Sequence, residues 1–275
     1  FDVYDPSIGR ELWRSDGTSL GTVPVDDIAA GQASSSPQFM AAGANRLFYA
    51  ITHPLYGKEV WVSNGTAAGT RLAADIVPGG NGSLGDMPGP SAIVQQGERT
   101  LLFFVADDGL HGDELWVTDG TPEHTTLLAD ASSNSKFYQL TPAGQRLFYL
   151  TESSYRRLSL WVSDGSVAGT RRLTEENDET YRYLRLIHPL GERVVVTCEH
   201  TYTWPNRLFV SDGTITGTQL LHEFDDCTSC EEMGGFTQLG NHLYFAAREH
   251  GLGVELWRTD GTSLGTEIVR DIYPG

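Results

Sequence analysis

The chain has 275 residues and carries 36 acidic against 19 basic side chains, for a formal net charge of −17. This negative charge disfavours nucleic acid and anionic membranes as partners, and it favours solubility, cations or a basic partner. No apolar stretch approaches the length that spans a bilayer, so we expect no membrane insertion.

One motif occurs six times along the chain, and its first and last copies are nearly identical. The tract from Glu11 reads Glu-Leu-Trp-Arg-Ser-Asp-Gly-Thr-Ser-Leu-Gly-Thr, and the tract from Glu255 differs only in a Thr for the first Ser. Self-similarity at a period of roughly 50 residues indicates one structural unit used six times. The aromatic anchors of the copies are Trp13, Trp61, Trp116, Trp161, Phe209 and Trp257.

The last copy shows the elements of one repeat most clearly. Four runs rich in β-branched, aromatic and apolar residues, at 236–239, 243–247, 255–258 and 266–272, are bounded by Gly, Asn and Asp. Such runs predict β-strands, which we name a to d in chain order. The dipeptide Asp260-Gly261 predicts a tight hairpin between strands c and d. Four antiparallel strands per repeat are typical of a propeller blade, with strand a nearest the axis.

In chain order, the first copy opens at 1–4, already inside strand b. The other five copies begin strand a near Gln38, Ala92, Phe137, Tyr183 and Phe236. The sequence therefore predicts an all-β fold, a six-bladed β-propeller with four antiparallel strands per blade, as a single domain over residues 1–275. We expect contact between the chain ends to close the first blade. We also expect the repeated Trp of strand c to fill the space between adjacent sheets, with backbone as the partner of its indole N–H.

The motif resembles that of bacterial secreted proteins that carry Glu-Leu-Trp-x-x-Asp-Gly-Thr-x-x-Gly-Thr repeats. The resemblance covers nearly the whole chain and implies a β-propeller outside the cytoplasm, secreted or at the cell surface. It implies no catalytic residues, because such repeats are found in large exported or surface proteins, mostly without an assigned reaction. The copies depart from the pattern at His124, Ser159, Arg207 and Phe209.

Two sets of acidic residues recur in the repeat. The first set occupies the turn between strands c and d, where Asp or Asn before Gly is the residue type that a turn demands. One carboxylate per turn falls far short of the roughly six to eight oxygens that calcium takes, so we interpret this set as structural. Its members are Asp16, Asn64, Asp119, Asp164, Asp212 and Asp260.

The second set pairs the start of strand c with the end of strand d. A symmetrical hairpin places these positions side by side, where like charges are destabilising unless something screens them. Two interpretations stay open: a cation such as calcium bridges the acid pairs, or the acids form a solvated rim that keeps sheet edges from pairing. The acid pairs are Glu11 with Asp27, Glu59 with Asp75, Glu114 with Asp130 and Glu255 with Asp271, whereas Arg207 faces Glu223 in copy five.

The three cysteines fall in two different settings. Cys198 takes a strand b position that holds small or apolar residues in most other copies, so we expect it to fill a core slot. Cys227 and Cys230 lie in a long d–a loop without the further ligands that a zinc site needs. We expect a local disulfide between them, as in an exported protein. The alternative is a bond from Cys198 to either one.

An aromatic and cationic cluster in copies four and five gives the strongest functional indication. Trp204 lies outside the repeat position of the other five Trp, in a long b–c loop of copy five. Exposed aromatics beside Arg and His suit a glycan or protein ligand, and the loops concerned open on one face. The alternative is that Trp204 folds back onto its own loop. The predicted ligand-binding residues are Tyr155, Arg156, Tyr181, Arg182, His200, Tyr202 and Trp204.

The chain carries no recognisable catalytic motif: no nucleophile elbow, zinc-binding His-Glu-x-x-His helix, phosphate loop or dinucleotide fingerprint. His53, His111, His200 and His250 recur in b–c loops, where a ring of them could bind metal or act as base. We expect no catalytic residues and no cofactor, with calcium at the acid pairs as the open alternative. The leading interpretation is a non-catalytic recognition or scaffold module of an exported bacterial protein, which binds a glycan or an extracellular protein. The alternatives are an extracellular polysaccharide hydrolase or lyase with an axial active site, and a structural spacer.

Overall fold

The computed structural model describes residues 1–110, 112–129, 136–152, 157–175, 178–181, 183–198, 205–224 and 233–272. Within these ranges the protein is all-β, as predicted, with six antiparallel sheets and three short 3-10 helices, Ala67–Gly69, Pro122–His124 and Glu179–Tyr181. None of the helices in the described part of the chain has the length and apolar character that a bilayer crossing requires. The chain divides into two compact units, Phe1–Ser135 and Lys136–Gly275.

Unit 1 contains the sheets of copies one to three. Sheet 1 consists of β1 (Asp2–Asp5), β2 (Gly9–Arg14) and β3 (Val23–Pro24). Sheet 2 consists of β4 (Gln38–Ala42), β5 (Leu47–His53), β6 (Gly57–Ser63) and β7 (Arg71–Leu72). Sheet 3 consists of β8 (Ser91–Gln96), β9 (Arg99–Asp107), β10 (Asp113–Thr118) and β11 (Thr126–Ala129).

Unit 2 contains the sheets of copies four to six. Sheet 4 consists of β12 (Lys136–Ala143), β13 (Arg146–Glu152), β14 (Leu158–Ser163) and β15 (Arg171–Arg172). Sheet 5 consists of β16 (Leu184–Leu190), β17 (Arg193–Cys198), β18 (Asn206–Ser211) and β19 (Gln219–Phe224). Sheet 6 consists of β20 (Gly234–Leu239), β21 (His242–Glu249), β22 (Gly253–Thr259) and β23 (Glu267–Arg270).

The order of strands within the sheets confirms the predicted blade. Sheets 2 to 6 have four strands in the order a-b-c-d, each antiparallel to its neighbour. Sheet 1 has the order β1-β2-β3, which corresponds to strands b, c and d, so the described part of copy one has no strand a, as its sequence predicts. The prediction that all six sheets close into one ring and one domain stays a prediction.

The connection between strands c and d is a loop that begins with the predicted Asp-Gly turn. In sheet 6 strand c ends at Thr259 and strand d begins at Glu267, so the loop comprises residues 260–266. The Asp260 carboxylate accepts hydrogen bonds from the backbone N–H and the hydroxyl of Thr262, at 2.9 and 2.7 Å. The side chains of the motif therefore fold this loop locally, and the Asp has the structural role that we predicted for it.

The two glycines of the motif have different roles in this loop. The first has a positive φ in every copy, for example +82° at Gly261, which Gly adopts without strain. The second, Gly265, lies against Asp260, and a Cβ built on it would be 2.1 Å from a carboxylate oxygen. A side chain at this position would therefore displace the carboxylate that organises the loop. Equivalent close approaches occur at Gly21, Gly69, Gly169 and Gly217.

The hydrophobic cores lie between consecutive sheets of each unit. Trp61 packs in the core between sheets 1 and 2, and Trp116 packs against the core between sheets 2 and 3. In unit 2, Phe209 lies between sheets 4 and 5, and Trp257 lies between sheets 5 and 6. These four residues confirm that the repeated aromatic position fills the space between adjacent sheets.

The indole N–H groups do not obtain the backbone partners that we predicted. Trp161 donates to the hydroxyl of Thr151 at 2.9 Å, and this partner is a side chain on the adjacent strand b. The positions equivalent to Thr151 in four other copies hold no hydroxyl: they are Val3, Ile51, Ala106 and Ala247. The buried indole nitrogens without a hydrogen-bond partner among the described residues are those of Trp13, Trp61, Trp116 and Trp257.

Arginines at the start of strand b hold the c–d loop of the next sheet. The guanidinium of Arg193 in sheet 5 donates to the backbone oxygens of Asp260 and Gly261 in sheet 6, at 2.8 and 3.1 Å. These bonds satisfy carbonyl groups that the loop itself leaves without partners. Further contacts of this kind join Arg146 to the Asp212 oxygen and Arg46 to the Asp119 oxygen.

Candidate functional site

The b–c and d–a connections lie at the same end of each sheet, and we call this end of each unit its loop end. The strand order requires it, because strands b and d run toward the end at which strand c begins. In copy two the backbone N–H groups of Ser83 and Leu84 in the d–a loop both donate to the oxygen of Lys58 at the start of strand c, at 3.1 Å. The predicted shared face of these loops is confirmed within each sheet.

The glutamate that opens strand c is buried beneath the d–a loop. Glu11 is 0% exposed. Its carboxylate accepts hydrogen bonds from the backbone N–H groups of Ile28, Ala29 and Ser35, at 3.3, 3.3 and 3.1 Å, and from the Ser35 hydroxyl. Charge-assisted bonds of this kind offset the cost of burying the carboxylate, so Glu11 fixes the course of the loop above it.

Glu59 takes the same position in copy two with fewer donors. It is also 0% exposed, and it accepts from the Val77 N–H at 3.3 Å and from the Ser83 hydroxyl at 2.5 Å. Burial raises the pKa of Glu59 to about 7, against the lowering effect of these two hydrogen bonds, and the nearby Asp75 charge raises it further. The protonation of Glu59 therefore responds to pH near neutrality.

The burial of these acids shows that the solvated-rim interpretation is wrong for the strand c glutamates. Glu114 and Glu255 are 0% and 4% exposed, and Glu255 accepts from the Ile272 N–H at 3.0 Å. The four donors on Glu11 occupy both of its carboxylate oxygens, which leaves little capacity for a cation there. Within the described ranges, no group of three or more His, Cys, Asp or Glu side chains is arranged to hold a metal ion.

The strand d acids behave differently from one copy to the next. The Asp27 carboxylate accepts from the Gly31 N–H at 2.9 Å. Asp75 and Asp271 are half-buried, and each has one buried carboxylate oxygen with no hydrogen-bond partner among the described residues. Asp130 lies outside the described residues. Calcium at the acid pairs therefore stays a prediction, and Asp75 and Asp271 are the positions at which to test it.

Copies four and five replace the buried glutamate by a different set of contacts. Ser159 is buried at the position of the glutamate in copy four. Arg207 in copy five binds Glu223 at 2.5 Å, and the two are Cα partners across the c–d pair, which confirms the predicted pairing. Arg157, just before β14, binds Glu179 of the d–a loop at 3.2 Å. Ion pairs at the loop end therefore take the place of a buried carboxylate.

Tyr181 is the one predicted ligand-binding residue that the structure describes. Its ring lies 5.1 Å from that of Phe209, centroid to centroid, and packs against the core between sheets 4 and 5. Its hydroxyl donates to the Thr218 oxygen at 3.2 Å. Phe209 is smaller than the Trp of other copies, so Tyr181 fills the remaining volume and keeps the core packed.

The remaining residues of the predicted cluster fall outside the described ranges. The same holds for two of the loop histidines, His111 and His200, and for the predicted disulfide partners Cys227 and Cys230. Cys198 is buried in the core between sheets 4 and 5, which confirms the predicted core slot. The predicted residues outside the described ranges are Tyr155, Arg156, Arg182, His200, Tyr202 and Trp204.

The sequence interpretation missed aromatic and basic residues at the starts of the inner strands β12 and β16. Lys136 and Tyr138 lie at the start of β12, and Tyr183 and Arg185 lie at the start of β16, all exposed. The Tyr138 hydroxyl donates to Glu152 at 2.7 Å. Alternation of charged and aromatic residues at i and i+2 could have indicated them, because such residues share one face of a strand.

A stack of three rings joins the inner strands of sheets 5 and 6. His188 lies 3.9 Å from Phe236, centroid to centroid, and Phe236 lies 4.9 Å from Phe245, with interplanar angles of 15° and 9°. Burial lowers the pKa of His188 to about 4, because the apolar surroundings disfavour the imidazolium. The neutral ring therefore acts as an aromatic packing group.

Comparison with known proteins supports the fold alone. No family model matches the chain, and no curated protein matches it. A solved structure from a structural and mechanistic study of two prolyl endopeptidases is similar over 91% of this chain and 36% of its own, at 11% identity and a TM-score of 0.51. Crystal structures of a puromycin hydrolase and of TolB from Acinetobacter baumannii give TM-scores of 0.47 and 0.40.

These structures are larger than the present chain. It spans 44% of the puromycin hydrolase at 14% identity, with 98% of its own length covered, and 59% of TolB at 13% identity, with 95% covered. The chain thus spans less than half the length of the first two of these structures, 36% and 44%. The similarity to the prolyl endopeptidase structure, at a TM-score of 0.51, supports a propeller-like all-β fold.

Proposed function

We propose that the protein is a non-catalytic recognition or scaffold module of an exported bacterial protein, which binds a glycan or an extracellular protein at the loop end of unit 2. One observation carries this proposal: copies four and five have lost the buried glutamate that fixes the loop in copies one and two. Arg207 and Arg157 make ion pairs at the loop end instead. In a chain built by duplication, such local gains of charge and aromatic surface mark where selection has added a function.

The motif residues have structural roles, and this supports a binding site formed by other residues. The motif Asp and Thr residues fold the c–d loops, and Glu11 and Glu59 hold the d–a loops. Groups engaged in these internal bonds have little capacity for a ligand. The residues outside the motif in copies four and five are the ones that remain for recognition.

A glycan array with the 275-residue chain tests the proposal. We expect Trp204→Ala and Arg156→Ala each to weaken binding to a glycan hit by on the order of thirty-fold, since a desolvated aromatic or Arg anchor contributes about 2 kcal/mol. Leu110→Ala is the matched control, because Leu110 is 80% exposed in the b–c loop of copy three. Unchanged binding in both test variants would show that the cluster is not the site.

We also propose that the six sheets form one closed propeller and that the chain ends complete sheet 1. The six motif copies and the common strand order of sheets 2 to 6 support this. An experimental structure decides the matter: an open arc, or a ring of another blade number, contradicts the proposal.

A further inference from the structure

We propose that Asn81 is a site of spontaneous modification, at which the side-chain amide is converted to a carboxylate through a cyclic succinimide. The reacting groups are the amide carbon of Asn81 and the backbone nitrogen of Gly82, in the d–a loop of copy two. This proposal is independent of the proposed function, because it depends only on the chemistry and the contacts of this loop.

The reaction needs an Asn, the next backbone nitrogen and water. The Gly82 nitrogen loses its proton and forms a bond to the Asn81 amide carbon, while the bond from that carbon to the amide nitrogen breaks and ammonia leaves. Water then opens the ring at either carbonyl, which yields Asp or isoaspartate with no change in oxidation state. Gly in the second position favours the attack, because it has no side chain to obstruct the ring and the widest backbone freedom.

The chain contains further dipeptides that can form the same ring. Asp before Gly reacts in the same way, with water as the leaving group in place of ammonia. Six of the dipeptides belong to the c–d loop motif, and two lie outside it. The first residues of the eight Asp-Gly and Asn-Gly dipeptides are Asp16, Asn64, Asn81, Asp108, Asp119, Asp164, Asp212 and Asp260.

The motif holds both reacting groups in all six of its copies. In copy two, Asn64 Oδ1 accepts from the N–H and the hydroxyl of Thr66, at 3.1 and 2.7 Å. The N–H of Gly65 donates to the Ser63 hydroxyl at 3.0 Å, so closure of the ring requires these bonds to break. The Asp side chains of the other copies accept equivalent bonds. The equivalent Gly N–H groups donate to the hydroxyls of Ser15, Thr118, Ser163, Ser211 and Thr259.

The Asp-Gly dipeptide in the b–c loop of copy three is held in a similar way. Asp108 Oδ1 accepts from the N–H of Leu110 at 2.8 Å, and the N–H of Gly109 donates to Asp107 at 2.7 Å. The side chain is therefore turned toward the following residue, and the nitrogen is engaged with the preceding one. Ring closure is opposed here as it is in the motif.

Asn81-Gly82 is the exception among these dipeptides. Asn81 is exposed. With the residues that the structure describes, neither its side chain nor the Gly82 N–H makes a hydrogen bond. Both reacting groups are therefore available to each other without the prior loss of a contact.

Glycines on both sides of Asn81 set the freedom of this segment. Gly79 and Gly80 precede it with φ of +112° and +87°, and a Cβ on Gly79 would meet no atom within 4 Å. Gly82 has a φ of +75° and lies against β6, where a Cβ would be 2.2 Å from the Lys58 nitrogen. The Asn81 side chain can therefore turn toward a nitrogen that stays in place.

The isoaspartate product would disturb the contact that holds this loop over Glu59. Its backbone runs through the former side chain and is one methylene longer, directly before Gly82. The next residue, Ser83, is buried, and it donates from its hydroxyl to Glu59 at 2.5 Å and from its N–H to the Lys58 oxygen at 3.1 Å. Because Gly82 has no room to move toward Lys58, the extra length displaces Ser83 from Glu59. The Asp product keeps the backbone length and leaves this contact intact.

Incubation of the folded 275-residue chain in mildly alkaline buffer, followed by proteolysis and mass spectrometry of the peptides, tests the proposal. We expect conversion at Asn81 to be at least about tenfold faster than at Asn64, the factor that the loss of one or two hydrogen bonds produces. In denaturant neither residue is held, so the two rates should be similar. Equal rates in the folded chain would overturn the proposal, as would an intact Asn81 in the folded chain when both residues convert in denaturant.

Two variants test the cause of the difference. Thr66→Val removes the hydroxyl that holds Asn64 and keeps the side-chain volume, so it should speed conversion at Asn64 and leave the rate at Asn81 unchanged. Asn81→Gln should abolish conversion at this position, because the longer side chain forms a less favourable ring. An unchanged rate at Asn64 in Thr66→Val would show that the hydroxyl does not protect it and would overturn that part of the argument.

Asn81→Asp separates the new charge from the longer backbone. This variant should melt at the temperature of the unmodified chain, whereas an incubated sample should melt lower in proportion to its isoaspartate content, measured by chromatographic separation of the two products. An incubated sample rich in isoaspartate that melts like Asn81→Asp would overturn the predicted displacement of Ser83 from Glu59.

Discussion

Thr151 supplies Trp161 with the hydrogen-bond acceptor that four other repeat tryptophans lack among the described residues. A buried donor without a partner costs roughly 1–3 kcal/mol unless water reaches it. The difference lies in one side chain of strand b, because the sheets are otherwise alike. Comparison of the copies at this strand b position therefore indicates which substitutions should stabilise the protein.

Ala247→Thr should stabilise sheet 6. The new hydroxyl would lie where Thr151 lies in sheet 4 and would accept the Trp257 N–H, so we expect the free energy of unfolding to rise by about 1 kcal/mol in urea denaturation. Ala247→Val adds a similar volume without the acceptor, and it should be neutral or destabilising because Ala247 is 1% exposed. Equal gains from both variants would show that packing, and not the indole bond, is responsible.

Glu59 should make stability fall as pH rises toward neutrality. Its pKa is raised from 4.5 to about 7 in the folded protein, so folding favours the protonated form. The stabilisation is complete below about pH 4.5 and is lost as pH rises through 7, by up to about 3 kcal/mol. Chemical denaturation between pH 5 and 8 should show this slope in the wild type and a smaller one in Glu59→Gln; identical slopes would exclude Glu59 as the cause.

At the scale of elements, the c–d loop is a unit folded by its own side chains. Copy three shows how the loop tolerates a departure from the motif. His124 stands where the second Gly is expected, and its ring lies 3.1 Å from Asp119 and 3.0 Å from the Thr121 hydroxyl. The side chain therefore bonds to the carboxylate that a Cβ in the other copies would displace.

Gly265→Ala should destabilise the protein, whereas His124→Gly should not. The added Cβ would displace Asp260 and its bonds to Thr262, for which we expect a loss of about 1–2 kcal/mol. His124→Gly restores the motif and removes the contacts of an exposed ring with Asp119 and Thr121, so we expect a change within about 0.5 kcal/mol. Gly85→Ala is the matched control, since the nearest atom to its added Cβ lies 3.9 Å away. Thermal unfolding that shows equal effects at Gly265 and Gly85 would contradict this account.

The strands were predictable from the sequence because their signals are local. Alternating apolar residues bounded by Gly and Asp located the four strands of the last copy to within about two residues. The extent of the c–d loop was predictable, because the runs at 255–258 and 266–272 leave residues 259–265 between the strands. The bonds from Thr262 to Asp260 that fold the loop were not predicted. Burial of Glu11 was missed because its donors lie 17 to 24 residues further along the chain.

At the scale of the whole molecule, the excess of acids acts against compactness. A net charge of −17 on 275 residues creates repulsion that salt screens. The ion pairs at the loop end, such as Arg207 with Glu223, act in the opposite direction and are partly exposed. Screening by salt should therefore weaken the net repulsion more than it weakens the ion pairs, and so stabilise the fold.

Moderate salt should raise the melting temperature of the isolated chain. Between about 0.02 and 0.5 M sodium chloride we expect a gain of a few degrees, because the Debye length falls from roughly 20 Å to 4 Å. Calorimetry at constant pH measures it. A lower melting temperature in high salt would show that the ion pairs outweigh the net repulsion.

The arginine contacts between sheets have a consequence for how such a chain can grow by duplication. Arg193 belongs to copy five, yet it completes the loop of copy six, and Arg146 stands in the same relation to copies four and five. A copied segment cut at the motif boundaries would separate each loop from the arginine that serves it. A segment that runs from the start of one strand b to the c–d loop of the next copy carries both. The segment that carries a complete set of these contacts is therefore offset from the repeat seen in the sequence. Copies added to the chain should fold only when their ends follow that offset.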